Sequence, residues 1–273
     1  MAALAGPLLL VGCGKMGGAL LHGWLSRGLP PRDVVVVEPD AASRERVREE
    51  AGVIAVAESK SLPGDLQPRA LVFAIKPQAM AAVLPAYATL AASGAVVLSI
   101  AAGTSIARFE AAFGERTPVV RAMPNTPAAI GQGVTALFAN PHVSAAQRQL
   151  CSDLMAAVGT VHWIDDEAQM HAITAMSGGG PAYVFLLIET LARAGIASGL
   201  PEHLAWPLAR GTVAGSGALA AQSEERVEVL RQNVTSPGGT TEAALAVLMA
   251  EDGIQPLFDR AIAAATRRSH ELA

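Results

Sequence analysis

Two glycine-rich segments carry most of the chemistry that this sequence makes available. The first, Gly12-Cys13-Gly14-Lys15-Met16-Gly17, has the spacing G-x-G-x-x-G and stands between an apolar run, Leu8–Val11, and a helix-like stretch, Lys15–Arg27. At that spacing the first glycine allows a tight turn, the second lets the backbone approach a pyrophosphate, and the third lets helix and strand pack closely. The helix N-terminus adds free N–H groups and partial positive charge. Glu38 ends the next apolar run, 21 residues beyond Gly17, where an acid accepts a hydrogen bond from a ribose 2′-hydroxyl. Gly12, Gly14, Lys15, Met16, Gly17 and Glu38 are therefore expected to contact NADH or NADPH. Glu38 would repel a 2′-phosphate and favours the former; Arg44 and Arg46 on the following helix could reach a phosphate or simply be solvated.

The second segment, Ser236-Pro237-Gly238-Gly239-Thr240-Thr241, precedes a helix. Gly238 and Gly239 permit positive φ, so successive N–H groups can converge on an anion, aided by the helix N-terminal charge. The alternative is an ordinary threonine cap after a Pro-Gly turn. Lysine occurs only at 15, 60 and 76, so any anion bound here would be held without one. Histidines 22, 142, 162, 171, 203 and 270 and cysteines 13 and 151 show no metal-ligand spacing, and no metal is expected. Two cysteines cannot build a disulfide framework, which suits a reducing cytosol.

These segments need elements to position them. The runs Leu8–Val11, Val34–Val37, Leu71–Ile75, Ala95–Ile100, Val119–Ala122 and Val134–Phe138 read as strands, separated by helical stretches such as Ala41–Ala51. Continuous Val/Leu/Ile runs indicate strands covered on both faces, hence a mainly parallel, doubly wound α/β sheet of Rossmann type. Beyond Trp163 the pattern becomes all-helical: Asp166–Met176, Ala182–Ser198, Glu202–Ala221, Thr241–Ala250 and Gln255–Ser269. The expected division is a dinucleotide-binding domain at 1–163 and a helical dimerisation and substrate-binding domain at 164–273. Small residues on several helix sides, as in Gly211–Ala221, favour close helix packing against a second copy.

Composition narrows the classes. At 51% hydrophobic and 16% charged residues, the 273-residue chain can bury a core and is not disordered. A net charge of −4 argues against nucleic-acid binding, which needs clustered Lys and Arg. The uncharged stretch Pro77–Ala107 is long enough to span a bilayer, but Pro85, Ser93, Gly94, Ser99 and Gly103 interrupt it. A buried helix, turn and strand is the expectation. The opening MAALAGPLLL resembles an export leader yet lacks a basic start and runs into the glycine loop, so a strand and a cytoplasmic protein are expected.

Further segments point to one family: Arg121-Ala-Met-Pro-Asn-Thr-Pro127, Ser177-Gly-Gly-Gly-Pro-Ala-Tyr183, Ala74-Ile-Lys-Pro-Gln78 and Ser99-Ile-Ala-Ala-Gly103, together with Gly12–Gly17 and Ser236–Thr241. In this order, over essentially the whole chain, they resemble pyrroline-5-carboxylate reductase. The resemblance implies reduction of L-1-pyrroline-5-carboxylate to L-proline by NAD(P)H in a homodimer or a larger assembly of dimers. It implies that Lys76, Pro77, Ala101, Met123 and Asn125 join the cofactor contacts, the alternative for Lys76 being a solvated residue at a strand end. Ser236, Gly238, Gly239 and Thr240 would hold the substrate carboxylate, Ser236 and the amides of Gly239 and Thr240 donating to it. Thr241 would bond the ring nitrogen as the catalytic residue. Two departures stand out: Gly179 replaces the middle serine of a Ser-Gly-Ser-Gly-Pro motif, and Glu38 replaces a small polar residue. A related hydroxyacid dehydrogenase would use a lysine on a helix of the second domain, and this chain has none there.

Overall fold

The computed structural model describes residues 6–272; the opening MAALA, weighed above as part of a leader, lies outside them. In chain order the sheet-bearing part contains β1 (Leu8–Val11), α1 (Lys15–Ser26), β2 (Val34–Val37), α2 (Ala41–Ala51), β3 (Ile54–Val56), β4 (Ala70–Phe73), α3 (Pro77–Val83), α4 (Ala88–Ala92), β5 (Val96–Ser99), α5 (Ile106–Phe113), β6 (Val119–Met123), β7 (Gly133–Ala139), α6 (Ala145–Ala156) and β8 (Gly159–Trp163). The strand order is β3-β2-β1-β4-β5-β6-β7-β8, and every neighbouring pair is parallel except β6–β7. The nine residues between Met123 and Gly133 are too few for a crossover helix, so β7 must return antiparallel.

The two-residue period of the strands explains the double winding. Leu8 and Leu10 point into one core with Leu20, Trp24, Val47 and Leu154, from α1, α2 and α6. Leu9 and Val11 point the other way, to Met80, Leu84, Tyr87 and Phe109 on the α3–α5 side. Trp24 is fully buried and its indole N–H donates to the Leu154 carbonyl at 2.9 Å, which fixes α1 against α6. Removing such a side chain costs about 3–5 kcal/mol. The stretch Pro77–Ala107 holds the buried central strand β5, but its helices are not wholly buried as expected: α3 and α4 turn only one face to the core, burying Met80 and Ala91.

Two elements of the sheet were not expected. β3 is only three residues, Ile54-Ala55-Val56, too short to stand out, and β8 alternates between partly buried and exposed positions without a continuous apolar run. β8 is held close to β7 through Gly159, whose φ is +153° and where a Cβ would fall on the Gly133 backbone.

The remaining helices are α7 (Gln169–Ile173), α8 (Gly180–Ala197), α9 (Glu202–Gln222), α10 (Val227–Asn233), α11 (Thr240–Leu248) and α12 (Ile254–Glu271). The helix expected over Asp166–Met176 is shorter, because Thr174–Gly178 widens into a π turn; α10 was not foreseen. By residue contacts the chain forms two units, 1–178 with 266–273, and 179–265. That division falls later than 163/164, because α7 and the π turn pack with the sheet: Met170 and Ala175 are buried. The second unit is built on α8 and α9, with Ala192, Ala205 and Ala209 buried. Phe185, Leu186 and Leu208 are at least half exposed.

Within the first unit, His171 of α7 clasps the end of α12. Its Nδ1 lies 3.0 Å from the Ser269 hydroxyl, and its ring stacks on His270 with centroids 3.8 Å apart. Burial, then the charges of His270 and Arg121, hold His171 below its ordinary value of 6.5, against smaller opposing effects of Ser269 and Glu167. The folded protein therefore binds this proton less readily than the unfolded chain does. The clasp's contribution is present above about pH 6.5 and declines as pH falls below it. Thermal melts should show stability falling from pH 7.5 to 5.5, and His171→Asn should flatten that decline; an equal pH dependence in the variant contradicts the assignment.

Candidate functional site

Strands β1 to β6 all end on one edge of the sheet, β7 and β8 running the opposite way, and the segments singled out for the nucleotide lie along that edge. The order reverses between β1 and β4, the place where open α/β sheets bind ligands. The glycines divide the work as their spacing requires. Gly12 has φ +88°, and a Cβ there would sit 2.6 Å from Ile75 and 2.9 Å from the Ala74 carbonyl oxygen. A Cβ on Gly17 would fall on the Gly12 carbonyl oxygen, so α1 can approach the strand end only with glycine at that position. At Gly14, by contrast, nothing lies within 4 Å: the space beside the backbone is open.

Helix α1 starts with no side-chain cap and no acid in its first turn. Its first intrahelical bond runs from Gly18 to Gly14, at 2.8 Å. The amides of Lys15, Met16 and Gly17 therefore lack an intrahelical acceptor and can serve an anion. Glu38 lies at the end of β2 and is buried; its Oε2 accepts the Cys13 amide at 2.9 Å and its Oε1 the Asp40 amide at 3.0 Å. Burial and this nearby carboxylate push the Cys13 thiol up to about 11, despite an opposing effect of Arg46, so Cys13 stays a neutral thiol.

Farther along the edge, Lys76 and Pro77 open α3, with the Lys76 side chain in solvent and Pro77 at the first helical position. Ala101 is buried, its amide donating to the Ser99 hydroxyl at 3.3 Å. Met123 packs on Gly178, where a Cβ would collide with the methionine methyl. Asn125 holds two segments together. Its Oδ1 accepts the Val134 amide at 2.8 Å and its Nδ2 donates to the Ser177 carbonyl at 3.3 Å, beside the π turn. Thus two motifs 52 residues apart meet inside one unit.

Sequence reasoning passed over Arg121 and Glu167. Arg121 is buried in β6 and pairs with the Glu167 carboxylate at 2.5 Å; the same oxygen accepts the Ile106 amide at 2.9 Å, tying β6 to α5. A lone arginine within Val-Val-Arg-Ala-Met was the available signal, since a buried charge requires a partner.

In the second unit, Ser236-Pro237-Gly238-Gly239 forms a turn in which the Gly239 amide donates to the Ser236 carbonyl at 3.0 Å. Proline second and glycine third, the latter at φ +70°, fit type II. Gly239 itself has φ −84°; it must be small because a Cβ would sit 2.9 Å from the Ser236 carbonyl oxygen. The Gly239 amide, expected to face a carboxylate, is therefore engaged within the turn. The Gly238 amide is engaged too, donating to Glu242 Oε2 at 2.7 Å. Helix α11 begins with the bond from Ala243 to Gly239, at 3.2 Å. The amides of Thr240, Thr241 and Glu242 precede that bond and can serve an anion. Ser236, Thr240 and Thr241 are exposed in the single chain. Among the described residues no cluster of three His, Cys, Asp or Glu side chains could hold a metal.

Comparison with known proteins agrees with this geometry. The family model for pyrroline-5-carboxylate reductase dimerisation matches residues 167–272, and a model described as NADP oxidoreductase, coenzyme F420-dependent, matches 8–103. The chain is 41% identical to pyrroline-5-carboxylate reductase of Pseudomonas aeruginosa over 97% of this chain and 96% of that one. It is 37% identical to the Synechocystis enzyme over 96% and 97% of the two chains. A solved pyrroline-5-carboxylate reductase from Coxiella burnetii superimposes with TM-score 0.92 at 35% identity, covering 98% of each chain. The Plasmodium falciparum enzyme, solved with NADP bound, gives 0.83 at 28% identity over 99% of each. With relatives so similar over nearly its entire length, the chain belongs to the pyrroline-5-carboxylate reductase family.

Proposed function

We propose that the chain reduces L-1-pyrroline-5-carboxylate to L-proline, adding a hydride from NADH or NADPH to the carbon of the ring C=N bond. The observation that carries the substrate side is the Ser236–Thr241 turn, which presents hydroxyls and the first free amides of α11 without a lysine. The Ser236 hydroxyl and the amides of Thr240 and Thr241 hold the substrate carboxylate, and the N-terminal charge of α11 adds to their attraction. The Thr241 hydroxyl bonds the ring nitrogen and orients it. Protonated at that nitrogen, the ring is already an electrophile, so orientation and positioning matter more than a strong base. Hydride addition leaves the nitrogen as the amine of proline, which takes its further proton from solvent.

The nucleotide end fits its ligand by shape. Open space at Gly14, the free amides of Lys15–Gly17 and the anchored Glu38 suit a pyrophosphate and a ribose. Lys76, Pro77, Ala101, Met123 and Asn125 serve its remaining contacts. The reduced nicotinamide supplies the hydride.

The helical unit works as part of a homodimer or a larger assembly of dimers in the cytoplasm. Support for the dimer comes from the helical run of α7, the π turn and α8: Gln169–Ala197 is long and apolar enough to cross a membrane by length and composition, and only 6% of its most apolar window is buried within the chain. The dimerisation model covers this stretch, and a second copy would remove Val184, Phe185 and Leu187 from water.

Thr241→Ala should lower kcat by about one to two powers of ten, as for loss of a transition-state hydrogen bond. Ser236→Ala should chiefly raise KM; steady-state kinetics unchanged in both variants would misplace the site. Glu242→Gln, which keeps an acceptor for the Gly238 amide, should stay near wild-type KM, whereas Glu242→Ala should raise it. Equal effects from the two would contradict a bracing role. Gly14→Ala should melt like the parent, having open space around it, yet bind nucleotide at least about tenfold more weakly in a fluorescence titration; unweakened binding would remove the loop from the site.

A further inference from the structure

Resting on the nucleotide site proposed above, we infer that this chain selects NADH over NADPH, and that the anchored carboxylate of Glu38 makes the selection. Glu38 ends β2, where the 2′ position of an adenosine ribose is read in this fold. Its carboxylate cannot swing aside to admit a phosphate, because Oε2 is bound to the Cys13 amide and Oε1 to the Asp40 amide. A carboxylate offers about four acceptor positions, so two remain for donors such as ribose hydroxyls. A 2′-phosphate offers no such donor and brings up to two negative charges against a fixed third.

The surrounding groups strengthen this bias. The N-terminus of α2, otherwise a natural phosphate seat, is capped by a second acid: Asp40 Oδ1 accepts the Ser43 amide at 2.8 Å. That bond holds the Asp40 carboxyl below its usual range, so it stays charged. The Arg44 guanidinium donates to the Glu38 and Pro39 carbonyl oxygens, both at 3.0 Å, and is tied to the backbone. Arg46 belongs to the α2 stripe with Val47, Glu50 and Ala51, which lines a groove of about 600 Å³ against α1. Arg44 is thus committed to backbone oxygens, while Arg46 shares its groove with Cys13, Gly14 and Lys15 of the glycine loop. Family membership leaves the matter undecided, since a relative 28% identical was solved with NADP bound.

The test is calorimetric titration of the full-length protein with NAD+ and with NADP+ at matched ionic strength, which reads binding without turnover. NAD+ should bind at least about tenfold more tightly, and the gap should narrow as salt rises and screens the repulsion. Glu38→Gln removes the charge while retaining an acceptor, and should raise NADP+ affinity several-fold in protein whose melt confirms folding. NADP+ binding as tight as NAD+ in the parent, a gap insensitive to salt, or an unchanged ratio in Glu38→Gln would each overturn the inference. No binding of either nucleotide would instead overturn the site reading beneath it.

Discussion

The hydrogen bond from the Cys13 amide to the Glu38 carboxylate, 2.9 Å long, joins the glycine loop after β1 to the end of β2. An amide buried beside two strand ends must find an acceptor, and a buried carboxylate must find donors. Each satisfies the other. The bond fixes the loop that opens α1 and, with it, the carboxylate at the end of β2. The neutrality of Cys13 follows from the same placement.

In the second unit a proline-glycine turn, rather than a glycine loop, leads into the helix. The type II turn at Ser236–Gly239 points the chain into α11, and Glu242 reaches back one turn to secure the Gly238 amide. Two of the amides nearest the turn are thereby satisfied internally, leaving those of Thr240 and Thr241, with their hydroxyls, at the helix start. The apolar faces of this unit, exposed in one chain, have the character of an interface.

What was legible in the sequence was local. Gly12–Gly17, the paired apolar runs and Glu38 lie within one strand–helix–strand stretch, and their roles follow from φ, close approach and hydrophobic period. The parallel sheet was legible because Leu8–Val11 and Val34–Val37 are apolar at every position, as strands covered on both faces must be. The edge strands β3 and β8 were not, since β3 is only three residues long and β8 mixes apolar and polar positions. Nor were the links Arg121–Glu167 and Asn125–Ser177, which join residues 46 and 52 apart and depend on tertiary structure. The engagement of the Gly239 amide was hidden for a subtler reason: Pro-Gly-Gly announces a turn but not which amide closes it.

The most direct test of the activity follows the hydride itself. Incubation with L-1-pyrroline-5-carboxylate and nucleotide deuterated at both nicotinamide C4 positions, read by NMR and mass spectrometry, should give proline carrying one deuteron on Cδ. Proline without label, or label elsewhere in the ring, would contradict hydride transfer to the ring C=N carbon; absence of any proline would contradict the reaction altogether.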